Sequence, residues 1–324
     1  MAAGVATLLL GACRGEQSTL EPAGRGADQI ATLFWGMVIG GALIWIAVVA
    51  VTIYAIRIRP SSHDERTARL LIIGGGAVFP TIVLAALLAW GLAMMPGLLA
   101  APPEGSLEIA VSGEQWWWRV KYLSYDGTPL EVETANEIHL PVGEPVRFKL
   151  DSPDVIHSFW IPSLGGKMDM IPGRTNVLTL HPTRTGRFRG ACAEYCGASH
   201  ALMSLWVVVE EKEAFERWLA KEASPASEPS DPIAAAGRDL FLSSGCGACH
   251  AVRGTDADGV VGPDLTHVGG RLSLGAGTLA NDPVAFRTWI HDPERIKPEV
   301  KMPPFGMLGD EGIAAIARWL EGLD

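Results

Sequence analysis

Two short segments of the chain gather the residue types that hold soft metals and haem. The first runs from Cys192 to Met203 and contains Cys192, Glu194, Cys196, His200 and Met203 within twelve residues. Thiolates, imidazole and thioether together select copper, and the thioether argues against zinc. A hairpin-like loop would let Cys192 face Cys196, so that both sulfurs bridge two metal ions. His200 and Met203 would then complete the coordination from the same loop. A second imidazole is still wanted, and His157, in the apolar and turn-bounded run Pro153–Phe159, is the candidate. The competing reading is a Cys192–Cys196 disulfide over a buried Met203, which leaves the placing of His200 without a role.

The second segment is Cys246-Gly247-Ala248-Cys249-His250. In a C-x-x-C-H run two thiols add to the vinyl groups of haem c, and the histidine becomes the proximal iron ligand. Zinc or thiol redox chemistry is the alternative use of such a pair. A sixth ligand is expected from a later methionine. Met302, in Lys301-Met302-Pro303-Pro304-Phe305, is the first candidate and Met307 the second. A Met/His pair raises the haem potential, as suits a carrier that passes electrons on rather than binding dioxygen.

These segments need elements to position them. Short stretches rich in β-branched and aromatic residues surround the first: Leu107–Val111, Trp116–Tyr122, Val146–Leu150, Val177–Leu180 and Ser204–Val209. Gly, Pro and Asp separate them, the signature of a compact β-sandwich or barrel. Glu211–Lys221 reads as a short helix. Residues 222–231, rich in Pro and Ser, read as a flexible linker. Pro232–Ser243 and Asp310–Leu323 read as helices at the two ends of a small all-α domain around the C-x-x-C-H run.

Upstream, Ile30–Ile56 and Leu70–Pro103 contain no charged residue. Each exceeds the roughly 20 residues that cross a ~30 Å hydrocarbon core. Arg57, Arg59, Arg66 and Arg69 crowd the loop between them, which the positive-inside tendency makes cytoplasmic. Both metal-bearing domains then lie on the extracytoplasmic (periplasmic) side of a bacterial plasma membrane. Pro80 is expected to kink the second span, and Gly74-Gly75-Gly76 to permit close helix contact. The expected organisation is a leader and N-terminal segment over 1–29, a transmembrane helical hairpin over 30–103, a β domain over 104–221, the linker over 222–231, and the haem domain over 232–324.

An apolar content of 48% in 324 residues accords with membrane spans, and the net charge of −10 fits a surface that receives a basic partner. No basic run of nucleic-acid-binding type is present. Of the five cysteines, Cys13 stands apart, after Leu8-Leu9-Leu10-Gly11-Ala12. That context resembles a bacterial lipoprotein signal with Cys13 lipidated; an uncleaved leader with a free thiol is the alternative. His63, His139, His181, His267 and His291 show no partner pattern and are expected at the surface or in loops.

Taken with Gly113-Glu114-Gln115-Trp116-Trp117-Trp118 and the run Pro162–Arg174, the copper segment closely resembles subunit II of the cytochrome c oxidase family, from the first span to the end of the β domain. The resemblance implies a cupredoxin fold and a dinuclear copper (CuA) centre held by His157, Cys192, Cys196, His200 and Met203. It further implies that the backbone carbonyl of Glu194 ligates copper, and that the Glu194 side chain helps bind magnesium at the interface with subunit I. Trp116 matches the residue through which electrons enter; on a strand the three tryptophans alternate faces, so at least one should be exposed. Many relatives carry Glu and Trp seven and four residues before the proline of the second span, where this chain has Ile73 and Gly76. The resemblance therefore does not carry the family's proton-entry arrangement over to this chain. The haem segment, with Gly237, Phe241, Gly262–Leu265 and Trp319 around it, resembles small class I cytochromes c. Such a fusion is typical of caa-type oxidases.

The resemblance implies a relay from a donor, cytochrome c or another carrier, through haem c to copper and on to subunit I. There dioxygen is reduced to water with proton translocation. The expected partners are subunit I, other oxidase subunits, the donor and membrane lipid. An anchored electron carrier for a different terminal reductase is the main rival, and a copper-assembly protein, which has no need of haem c, a weaker one.

Overall fold

The computed structural model describes residues 15–58 and 64–324. Cys13, Arg59 and His63 fall outside the described residues, and with them the lipidation expected at Cys13. By its backbone contacts the chain forms two compact units, residues 28–100 and the remainder.

The first unit is helical. α1 (Arg25–Ile53) continues through wider turns to Ile58. α2 (Glu65–Arg69), capped by the Asp64 carboxylate accepting from Thr67 N at 3.2 Å, runs through similar turns over Leu70–Val78 into α3 (Phe79–Leu98). Arg25–Ile58 and Glu65–Leu98 are each 34 residues long, about 51 Å at ~1.5 Å per residue and ample for a bilayer core. Their apolar side chains point outward, with Trp45 67% and Ile72 70% exposed, as lipid-facing helices require. Pro80 stands near the start of α3, directly after the wider turns over Leu70–Val78. Among the described residues, nothing beyond the helix's own backbone lies within 4 Å of where a Cβ on Gly75 or Gly76 would stand, whereas one on Gly36 would touch the Trp90 ring at 3.0 Å.

The second unit holds two lobes. In the β lobe, β1 (Leu107–Glu114), β2 (Trp117–Tyr125), β3 (Thr128–Ala135), β4 (Glu137–Pro141) and β5 (Val146–Asp151) are followed by β6 (His157–Trp160), β7 (Met168–Met170), β8 (Asn176–Leu180), β9 (Gly186–Cys192) and β10 (Ser204–Glu210). They build two five-stranded sheets, β3-β2-β1-β5-β8 and β4-β10-β9-β6-β7. Pairing is antiparallel except for β1 with β5 and β4 with β10. Inward positions alternate along β1 as Leu107, Ile109 and Val111, all fully buried, and face Phe148, Phe159 and Val207 in one core. α4 (Lys212–Glu222) closes one end with Phe215 and Leu219.

In the haem lobe, α5 (Pro232–Ser243), α6 (Pro283–His291) and α7 (Gly309–Glu321) surround a small hairpin, β11 (Ser273–Leu274) and β12 (Leu279–Ala280). Asp231 and Asp282 cap α5 and α6, each accepting a backbone N–H at 2.8 Å. α5 crosses α7 at Gly237, where a Cβ would meet Ala315 O at 2.0 Å. Phe241 and Trp319 pack edge to face beside that crossing, with centroids 5.0 Å apart.

Two expectations change here. Residues 222–231 do not hang free: Ala226 N donates to Arg253 O at 2.8 Å, Ser227 Oγ to Gly322 O at 3.1 Å, and the Arg253 guanidinium to Glu222 O. An extended segment leaves its backbone groups unpaired, and Arg253 and His267 use them. His139 and His267 are not surface residues either, being 9% and 3% exposed. His139 lies on β4 with Glu210 at 2.8 Å from Nδ1 and Glu137 at 3.0 Å from Nε2, stacked on Trp218 at 4.0 Å. Burial pulls its pKa down, but the two carboxylates outweigh burial and raise it above the ordinary histidine value. A folded pKa raised above the unfolded value gives stability that is complete below about pH 6.5 and lost as pH rises through the folded pKa. The thermal midpoint should therefore fall over that rise in the wild type, and His139→Phe should flatten that part of the profile. An identical decline in both proteins would remove His139 as its source.

Candidate functional site

β6 and β9 bring His157 and Cys192 side by side, and the loop from Cys192 to Met203 folds back beneath β10. His157, Cys192 and Cys196 place one donor atom each within 4.8 Å of one another, all buried. Both cysteines are free, with sulfurs 3.7 Å apart. That separation is less than twice a ~2.3 Å metal–thiolate bond, so both sulfurs can bind the same ion. His157 Nδ1 lies 3.8 Å and Glu194 O 3.2 Å from Cys192 Sγ. On the other side, His200 Nδ1 lies 3.5 Å and Met203 Sδ 3.9 Å from Cys196 Sγ. Two thiols in the middle with separate donors at each end form a set for two metal ions rather than one.

The electrostatics agree. Cys192 is held far below the ordinary thiol range, chiefly by its hydrogen bond with Cys196 and further by His157, while Cys196 is pushed far up, chiefly by that same hydrogen bond, then by burial and by the charge on Cys192. One thiolate forms easily and the second is opposed, an opposition that a cation would lift. His157 is fully buried, and its Nε2–H donates to Asp154 Oδ1 at 2.9 Å, which leaves Nδ1 as the lone-pair donor aimed at Cys192. Asp154 is itself fixed by Gln115 N at 2.8 Å and Val155 N at 2.7 Å. The Glu194 side chain points away from the sulfurs towards Lys167, 3.8 Å off.

None of the three tryptophans is exposed. Trp118 is fully buried, Trp117 is half-buried under the Arg119 guanidinium at 4.6 Å, and Trp116 is 4% exposed. Trp116 precedes β2 rather than belonging to it, so strand alternation does not govern it; it packs with the β-lobe core and against the copper loop, and also lines the cavity described next. Its Nε1–H and that of Gln115 Nε2 donate to Cys196 O at 2.9 and 2.8 Å.

On the haem lobe a cavity of about 680 Å³ is lined by Cys246, Cys249, His250 and Met302, with Phe241 and Trp289 among its walls and Trp116 at its edge. Burial holds His250 neutral, its pKa lowered, and its Nδ1–H donates to Pro263 O at 2.8 Å, so Nε2 carries the free lone pair. Met302 lines this cavity; Met307 does not, and is 78% exposed. Buried Arg271 also lines the cavity, with its Nε lacking a partner, as an anionic substituent of a haem would require. Haem therefore fits these residues, and copper fits the thiol loop.

Sequence reasoning did not single out Asp154, Gln115, Arg271 or Lys297. An Asp three residues before a candidate ligand, in a turn, was a readable signal for Asp154. The others act across the chain and left none.

Residues 107–211 match the family model for the cytochrome c oxidase subunit II periplasmic domain, and residues 234–324 that for cytochrome c. Cytochrome c oxidase subunit 2 of Alkalihalophilus pseudofirmus is 33% identical over 336 residues, covering 98% of this chain and 94% of the relative. The chain belongs to the cytochrome c oxidase subunit 2 family. Another subunit 2, from Bacillus sp. (strain PS3), is 34% identical over 232 residues, 68% of this chain and 63% of that one. The crystal structure of the periplasmic domain of subunit II from Bradyrhizobium japonicum is 31% identical with a TM-score of 0.34, covering 38% of this chain and 100% of that one. As a subunit 2, the chain is part of a haem–copper oxidase, an enzyme complex, and serves electron transfer. Its two domains imply copper and haem c, and its two apolar helices suggest a membrane anchor.

Proposed function

We propose that this subunit relays electrons from an external donor, a cytochrome c or a similar carrier, to subunit I, where dioxygen is reduced to water with proton translocation. Haem c and a dinuclear copper centre supply the one-electron carriers when bound. Cys246 and Cys249 would anchor the haem, and His250 and Met302 would ligate its iron. His157, Cys192, the Glu194 carbonyl, Cys196, His200 and Met203 hold the coppers, while the Glu194 carboxylate helps hold magnesium against subunit I. Asp154 fixes the His157 ring, and Trp116 bridges the two sites. Both helices cross the bacterial plasma membrane, both lobes face outward, and Cys13 carries lipid.

One observation carries this reading: Trp116 borders the haem cavity with its ring and donates through Nε1 to the Cys196 carbonyl. A single side chain thus touches both candidate centres. Rapid reduction of the purified complex by a donor tests it. The haem c band should appear first, followed by bleaching of a near-infrared mixed-valence copper band. Copper reduced without prior reduction of haem would overturn the relay.

A further inference from the structure

Lys297 is a buried cation at the margin of the haem cavity. It is 2% exposed, and its ammonium donates to three backbone carbonyls: Trp116 O at 2.5 Å, Leu202 O at 2.9 Å and Gly275 O at 3.0 Å. Three donors meet three acceptors, so the group is fully satisfied. Two of those carbonyls belong to the β lobe. One is on Trp116, and the other is on Leu202, the residue before Met203. The third lies in the β11–β12 turn of the haem lobe. Lys297 itself follows α6, five residues before Met302.

We propose that Lys297 is the positioning residue that latches the haem lobe onto the copper loop, fixing the geometry of electron transfer between the two. The inference rests on the relay proposed above. Burying an ammonium without partners is very costly, and only the docked arrangement presents all three carbonyls at once. The latch therefore specifies one arrangement instead of merely adding attraction. Its surroundings are built to the same fit. Ser199 Oγ donates to Pro298 O at 2.6 Å, and Ser204 N to Ala276 O at 3.0 Å. Gly277, at φ +76°, lies so close that a Cβ would meet Ser204 Oγ at 2.2 Å. Burial pulls the Lys297 pKa down to about 7, and the nearby Cys196 opposes that fall.

The test compares Lys297→Met and Lys297→Gln in the complete oxidase. Both have about the length of lysine, but only glutamine keeps N–H donors. Two readouts apply: the haem-to-copper electron-transfer rate after rapid reduction, and the enhancement of copper spin relaxation by oxidised haem, which reports their separation. Expected for Lys297→Met are a rate at least tenfold lower and a weaker enhancement, with haem and copper bands intact. Lys297→Gln should fall between Lys297→Met and wild type. A wild-type rate in Lys297→Met overturns the latch, as does equal slowing in both variants with unchanged relaxation, which marks simple packing. If Lys297→Met loses its copper band, Lys297→Gln decides alone, and a wild-type rate there rejects the proposal. Failure of the relay is distinct, because wild type itself would then show no haem-to-copper transfer.

Discussion

Cys196→Ser is expected to abolish the near-infrared copper band and reduce oxidase turnover to background, while the haem c spectrum remains. Cys196 stands at the centre of the donor set: Cys192 Sγ, His200 Nδ1 and Met203 Sδ all lie within 3.9 Å of its sulfur. Serine is a poor ligand for copper in this setting, since its hydroxyl resists ionisation and is harder than a thiolate. The fold should survive, because the surrounding core is held by Phe159, Trp118 and Leu205, each fully buried. Metal analysis, the near-infrared spectrum and oxygen consumption check this on one preparation. Wild-type turnover with the band present would remove Cys196 from the centre. A lost fold, read by circular dichroism, would assign it to structure instead.

The second large effect is expected at Met302. Met302→Ala should leave haem attached through Cys246 and Cys249, but shift it from low to high spin. The potential should drop by on the order of 0.2 V, since axial ligands set haem potentials over a range of about 0.8 V. Electron supply to copper should change accordingly. Met307→Ala serves as the control and should alter nothing, because Met307 is 78% exposed and does not line the cavity. Redox titration of the haem band measures both. If the effects are exchanged, Met307 is the ligand.

Much of this was readable in the residues. Spacing alone assembled Cys192, Cys196, His200 and Met203, because one loop carries them and a loop's donors are near each other by connectivity. The C-x-x-C-H run is equally local, and hydrophobic runs marked both long helices. What sequence could not supply was contact between distant segments. His139 looked idle because its partners are two positions back along β4 and 71 residues later on β10. Lys297 gave no sequence signal because its acceptors lie up to 181 residues away. The tryptophan run was misjudged because Trp116 lies outside β2, where strand periodicity does not apply, and packs with the β-lobe core. β3, β4, β6, β7 and β9 went unmarked because they are short, polar or buried along their whole length.

The burial of Trp116, 4% exposed, decides how the proposed relay is wired. On that route the copper centre has, in electrical terms, no open terminal at Trp116. Two inputs in parallel then become one input in series. Mutations that weaken the haem cannot then be bypassed by raising the concentration of external donor. Mutations that pry the lobes apart could restore such a bypass, at the expense of the fixed connection. The fused arrangement exchanges choice of supplier for constancy of supply.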